Sequence, residues 1–357
     1  EDYRMQATED RRTVEQIIRE EGLAGALPAR RVAGLILTYR CSIACRHCLF
    51  CCSPRLRTRP MTAAQAAEAI EQLHALGRVV HVAGGEPTLH WRVVLSAARR
   101  AAARGTPAHF LETNASWATR DERVRRRFGQ LRDAGLAGVL LSADVYHQEF
   151  VPPERFLRAR RIARKVFGPR NVLATADDDE TVRGFARRAK EPARLAQAVR
   201  AGSPHLTGRA AAELARFVPL RPVERLGEDG LWHEGGEGMS CRREFDPRTM
   251  WEVHLDAYGN IQTCCGVLLG HLRGGTVAEQ ARAGWPANPL VAILRERGLV
   301  GLVPLAERHG YRPRRRYPQK CYLCYELRHF LRPHYPEQLG PAEVYACPPA
   351  LAGGKRR

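Results

Sequence analysis

Lysine is scarce in this sequence: only Lys165, Lys190, Lys320 and Lys355 contribute to the 57 basic residues, and the other 53 are arginines. The net charge of +19 therefore arises from one residue type. With Ala, Gly and Pro abundant as well, the skew reads as a GC-rich coding sequence placing arginine wherever a solvated cation is tolerated. The arginines are scattered and no RNA-binding aromatic signature accompanies them, so the charge permits an acidic partner, a phosphorylated substrate or RNA, without demanding one. Long hydrophobic runs are also missing. None approaches the ~20 residues a membrane-spanning helix needs, which excludes a helical membrane protein. The stretch Glu1–Arg12 is charged and has no apolar h-region, so no secretory signal is expected and the cytoplasm is the expected compartment. No internal repeat is present. Cysteine, by contrast, is plentiful. The 11 thiols are an odd number, which spoils a fully paired disulfide framework, and in a reducing compartment thiols serve more often as metal ligands or nucleophiles.

With 357 residues the chain is long enough for a large domain plus a smaller appendage. Residues 13–27 read as an amphipathic helix within an N-terminal extension over 1–29. Apolar runs then alternate with helical patterns. Strands are expected at 32–38, 79–83, 108–112, 137–141 and 171–174, and helices at 61–76, 91–104, 121–134 and 153–167. Five strand–helix alternations predict a parallel α/β sheet, doubly wound or curled into a full or partial barrel, over residues 30–227, and both arrangements place ligands at the strand C-termini. An acidic run at 176–180 interrupts the rhythm before a helical stretch at 192–200. The Gly- and Glu-rich segment 228–240 reads as a linker to a C-terminal domain over 241–357, which opens with a β-hairpin at 250–255 and 260–263 and carries helices near 290–297 and 322–331.

The densest chemical signal is Cys41-Ser-Ile-Ala-Cys45-Arg-His-Cys48 on the loop leaving the first strand. Three closely spaced thiolates can hold three irons of a cubane and leave the fourth open, while zinc with His47, Cys51 or Cys52 as fourth ligand is the alternative. The second strand ends in Val82-Ala83-Gly84-Gly85-Glu86-Pro87. Alone this is a plain strand-to-helix turn. The third strand runs out at Glu112-Thr113-Asn114 and the fourth at Ser142-Ala143-Asp144, residues that singly would serve as helix caps. After the linker come Cys241, then Gly259-Asn-Ile-Gln-Thr-Cys264, then Cys321-Tyr-Leu-Cys324, four thiols able to enclose one cluster or one zinc.

The CxxxCxxC group with His47 before its last cysteine, followed in order by GGEP and the two polar pairs, resembles the radical S-adenosylmethionine (AdoMet) enzymes. The resemblance implies a partial (β/α) TIM-type barrel with a small α+β iron–sulfur domain. It also implies a 4Fe–4S cluster held by Cys41, Cys45 and Cys48 and chelated by AdoMet at its open iron, and a 5′-deoxyadenosyl radical that removes a hydrogen from an unactivated carbon. AdoMet carries an ammonium, a carboxylate and ribose hydroxyls, and Gly84, Gly85, Glu86, Pro87, Thr113, Asn114, Ser142 and Asp144 offer the matching acceptors and donors. Arg209 is the candidate for a bidentate grip on a carboxylate, AdoMet's or the substrate's, at the end of a sixth strand near Leu206. Tyr146 and His147, with Glu149, stand after the fourth strand where substrate contact or proton transfer is expected.

The second thiol set, Cys241, Cys264, Cys321 and Cys324, resembles the Twitch domain, a shortened SPASM domain, and implies one auxiliary 4Fe–4S cluster. The chain departs from that pattern in the 17 residues between Cys241 and Gly259, so Cys265 and Cys347 stand as alternatives to Cys241. The expected activity is an oxidation or cross-linking modification of a peptide or small metabolite, with an electron donor such as flavodoxin or ferredoxin. RNA modification, an epimerase or mutase reaction, and a non-catalytic zinc-stabilised binding protein are the rival readings.

Overall fold

The computed structural model describes residues 11–202, 204–229, 241–286 and 288–350. Five strands follow one another in parallel, β1 (Val32–Ile36), β2 (Val79–Ala83), β3 (Phe110–Thr113), β4 (Gly138–Leu141) and β5 (Val172–Ala174). Between and around them lie α1 (Val14–Arg30), α2 (Ala63–His74), α3 (Trp91–Ala103), α4 (Asp121–Asp133), α5 (Pro153–Phe167), α6 (Asp179–Ala189), α7 (Pro192–Gly202) and α8 (Arg209–Glu213). Beyond them come β6 (Arg221–Pro222), α9 (Arg242–Phe245), β7 (Glu252–Asp256), β8 (Asn260–Thr263) and β9 (Val267–His271). The chain continues with α10 (Val277–Arg282), α11 (Pro289–Arg297), α12 (Leu302–Arg308), β10 (Arg316–Tyr317) and α13 (Lys320–Leu331). The main sheet has the order β5-β4-β3-β2-β1-β7-β8-β9, open at both edges, and β6 pairs separately with β10. This is a partial (β/α) barrel of the TIM type.

Every residue of β1 and β2 is buried, as expected of parallel strands covered on both faces. Alternate residues point into the barrel. α1 packs Val14, Ile17, Ile18, Leu23 and Ala26 against Val32, Val79 and Phe110 at the strand starts and plugs that end. The functional loops therefore gather at the other end, where the strands finish.

Two departures from the sequence reading have local causes. The acidic run at 176–180 does not interrupt the strand–helix rhythm but starts a helix. The Asp178 carboxylate accepts from Thr181 N at 2.7 Å, and Asp179 and Glu180 occupy the first turn of α6, where the helix dipole favours negative charge. No sixth strand ends near Leu206. Gly208, at φ +54°, instead turns the chain into α8. The expected linker, 228–240, lies almost wholly outside the described residues. Beyond it β7 joins the barrel's own sheet, parallel to β1 in the register Gly34 to His254, and β8 and β9 extend it antiparallel.

Candidate functional site

A cavity of about 360 Å³ opens where β1 to β4 end. Cys41, Cys45 and Cys48 line it on one side, and Cys241, Cys264, Cys321 and Cys324 on the other, so residues almost 300 positions apart share one cavity. None of these thiols is in a disulfide. Cys41 and Cys45 are nearly buried, and burial followed by the nearby Glu86 carboxylate pushes the Cys41 thiol up to about 12. Cys48 moves the other way, held well below the ordinary thiol range by hydrogen bonds from Cys45 and then Cys52. In the second set, burial and the neighbouring Cys324 push Cys241 and Cys321 up to about 12. Thiols that raise one another in this way lie close enough together to share one cation.

The loop carrying the first set is held from three directions. From β2, Gly85 N donates to Thr38 O at 2.7 Å and Glu86 N to Arg40 O at 3.0 Å. A Cβ on Gly84 would lie 2.5 Å from Thr38 O and one on Gly85 2.1 Å from Arg40 O, so the paired glycines exist because two backbones nearly touch here. From β3, Asn114 Nδ2 donates to Cys41 Sγ at 3.6 Å and to Ser42 Oγ at 3.1 Å. From the turn before α8, Arg209 N donates to Cys48 O, while its guanidinium donates to the carbonyls of Cys45, Cys51 and Cys52 at 2.7–2.8 Å. Three of the five guanidinium N–H groups of Arg209 are thus committed to the loop's backbone, and the residue lies outside the cavity lining, so the structure gives no contact for the carboxylate clamp expected from sequence.

Of the expected AdoMet contacts, Gly84, Gly85, Thr113, Asn114 and Ser142 line the cavity. Glu86 does not. Buried beneath the wall, its carboxylate accepts from Thr88 N, the Thr88 and Thr113 hydroxyls and Asn114 N, and so braces the GGEP turn, where Pro87 opens a short 3-10 helix. Asp144 is also absent from the lining. It accepts from Tyr146 N and His147 N, with one oxygen 3.2 Å from His47 Nε2 and the other 3.0 Å from His147 Nδ1. Burial would raise its carboxyl, but His147 and His47 outweigh that and hold it well below the usual range. Asp144 therefore holds the two imidazoles and lies off the cavity lining, where the sequence reading expected an AdoMet contact. His147 reaches the cavity, whereas Tyr146 stacks behind His47 with ring centroids 4.6 Å apart. Glu149 is taken up in a bidentate pair with Arg46 at 2.8–2.9 Å.

Cys347 is not with the second set. It lies against Cys51 beside Arg209, so of the two alternatives to Cys241 only Cys265 reaches the cavity. Three residues the sequence reading missed, His81 on β2 and Glu252 and His254 on β7, complete the floor together with Glu112 on β3. A histidine in the middle of an otherwise apolar buried strand, as in Val-Val-His-Val-Ala, was the available signal. Arg328, fully buried on α13, was missed as well. It donates to the carbonyls of Cys264 at 3.1 Å and Cys265 at 3.3 Å, as Arg209 does for the first loop.

The residues present fit an iron–sulfur cluster with AdoMet beside it: a three-thiol loop, a thiolate-directed amide and a small-residue wall meet at one cavity. The family model of the Radical SAM superfamily matches residues 35–177, which span β1 to β5. No curated protein sequence matches the chain. Among solved structures, BtrN in complex with AdoMet and 2-DOIA is 14% identical, with 75% of this chain and 86% of that one covered at a TM-score of 0.39. Streptococcus suis SuiB bound to S-adenosylmethionine is 13% identical, with 75% and 68% covered at a TM-score of 0.42. Overlaps this loose carry no argument about substrate. The superfamily match falls on the three-thiol loop, the GGEP turn and the polar strand ends that build the cavity, and residues 35–177 form a domain of the Radical SAM superfamily, which implies a 4Fe–4S cluster and S-adenosylmethionine.

Proposed function

We propose that this enzyme performs a two-electron oxidation, or an oxidative cross-link, on a peptide or small polar metabolite. In this reading Cys41, Cys45 and Cys48 hold the AdoMet-binding cluster, and Cys241, Cys264, Cys321 and Cys324 hold an enclosed auxiliary cluster in a Twitch-like C-terminal domain. The observation that carries it is that both thiol sets line one cavity. A substrate bound there lies between a three-ligand site and a four-ligand site, next to a place for the electron left behind after hydrogen abstraction. When bound, the first cluster with AdoMet supplies a carbon-centred radical able to take hydrogen from an unactivated C–H bond.

The chain's own residues supply the rest. Thr113, Asn114 and Ser142 present polar groups to AdoMet at the strand ends, and Asn114 also steadies the Cys41 sulfur. His147, backed by Asp144, is the proton-holding group on that side of the cavity. Burial works against its protonation, but Asp144 more than compensates, so its pKa is raised. An isomerising reaction would take its hydrogen back from 5′-deoxyadenosine or from a protein thiol, and Cys51, a candidate thiol, turns from the cavity to donate to Val344 O at 3.3 Å.

Deuterium at the reacting carbon of the true substrate tests the reading. It should appear in 5′-deoxyadenosine, with a product two electrons more oxidised than the substrate. A product isomeric with the substrate rejects it.

A further inference from the structure

The cavity floor carries a second group of metal-ligating side chains that the cluster chemistry does not use. The geometry points to a mononuclear divalent-metal site made by His81 Nε2, His254 Nε2 and Glu252 Oε1, taking a first-row ion such as Fe2+ or Zn2+ and keeping an open side toward the cavity.

The site is set by strand register. His81 on β2 and His254 on β7 both align with Gly34 on the strand between them, so the two imidazoles flank one bare position on the barrel's inner face. That position must be bare, because a Cβ on Gly34 would stand 2.5 Å from His81 Nε2 and 2.6 Å from His254 Cδ2. Glu252 reaches up from two residues before His254. Its Oε1 lies 2.7 Å from His81 Nε2 and 3.1 Å from His254 Nε2, and all three atoms fall within 4.8 Å of one another. Ligands about 2.0–2.2 Å from a common ion sit about 3 Å apart at adjacent coordination positions, so the two edges match. Two imidazoles and one carboxylate with open positions form a donor set that suits such ions.

A second observation concerns the far nitrogens. Both histidines are more than nine-tenths buried, and the Nδ1 of each has no hydrogen-bond partner among the described residues. His81 Nδ1 lies 3.7 Å from Glu112 Oε2. A neutral His81 has one proton for two carboxylates, Glu252 at Nε2 and Glu112 at Nδ1, and leaves one unserved. An ion at Nε2 fixes the proton on Nδ1, where Glu112 becomes the carboxylate that orients a ligating imidazole. It also offsets the charge of two carboxylates that face the same imidazole. Phe110 stacked on His81 and Phe50 edge-on to His254 hold both rings in place. Two other groups share this composition. The Glu15, His74 and His109 group lines no part of the cavity. His47, Asp144 and His147 already divide the two carboxylate oxygens between the two rings.

The proposal stands apart from the reaction, and its failure leaves the cluster assignment intact. Cobalt(II) is the probe, titrated anaerobically into the fully clustered protein with both clusters in their EPR-silent oxidised state. One equivalent should bind and give a high-spin signal with nitrogen couplings from two imidazoles. Glu252→Gln should weaken binding on the order of a hundredfold. Gly34→Ala, which removes no ligand, should do the same, with iron and sulfide contents in each variant reporting that the fold survives. Should one variant lose iron, the other decides. Absence of bound cobalt, a signal without nitrogen coupling, or undiminished binding in a variant of normal iron content overturns the site.

Discussion

Arg209 and Arg328 do the same work in two places. Each is a buried guanidinium that donates to carbonyls of a thiol-bearing loop and so fixes the loop's backbone while its sulfurs line the cavity. Arg209→Ala leaves three buried carbonyls without donors and should cost on the order of 3 kcal/mol while lowering iron content by up to half. Normal iron combined with weakened AdoMet binding would return Arg209 to the carboxylate role it was first given. Replacing Cys41, Cys45 and Cys48 together should remove one cluster and abolish 5′-deoxyadenosine formation, with the other cluster still visible by EPR after reduction. Retained 5′-deoxyadenosine production would reject the assignment. At this scale residue type was readable in the sequence and partnership was not. Glu86, Asp144 and Arg209 each carry a charge suited to AdoMet, but nothing local in the chain tells that their partners are a turn, two histidines and a loop backbone.

Among the elements, the strand–loop junctions place the chemistry. The turn after β2 and the three-thiol loop are joined by backbone hydrogen bonds from Gly85 and Glu86, with Gly84 and Gly85 packed against the loop's backbone, so a side chain there acts on the neighbouring element as much as on its own. Gly85→Ala should push the loop away, costing about 1–3 kcal/mol and impairing assembly of the first cluster. Iron analysis with thermal unfolding reads both effects, and a variant as stable and iron-rich as the parent would refute the close approach. At the opposite end α1 is pinned through Glu15, 2.7 Å from His74 Nε2 and 3.2 Å from His109 Nε2. The His109 hydrogen bond, followed by opposing burial and then His74, holds the Glu15 carboxyl well below its ordinary value. A depressed carboxyl contributes stability above its unfolded pKa and loses it as pH falls. Glu15→Ala should therefore be about 1 kcal/mol less stable near pH 7, with the gap closing below about pH 4, as unfolding measured across that range will show. Helix and parallel-strand periods marked most elements within a few residues. The start of α6 was hidden because acidic residues suit both a solvated loop and a helix's first turn.

The molecule is built on one main open sheet, and residues from both halves of the sequence meet over a cavity at its strand ends. β7 lies beside β1, and this pairing brings Glu252 and His254 to the barrel floor and carries Cys264 to the wall opposite Cys41. Sequence indicated a barrel and a thiol-bearing tail but not their junction, because a hairpin's alternation says which face is buried and nothing about which strand will accept its edge. Joined in this way, the two thiol sets serve one substrate space, and that is the central claim. Metal and sulfide analysis of anaerobically prepared protein tests it most directly. About eight iron and eight sulfide per chain are expected, for two four-iron cubanes, falling to about four of each when Cys321 and Cys324 are replaced. One or two zinc per chain, with no sulfide and no brown colour, would contradict the account.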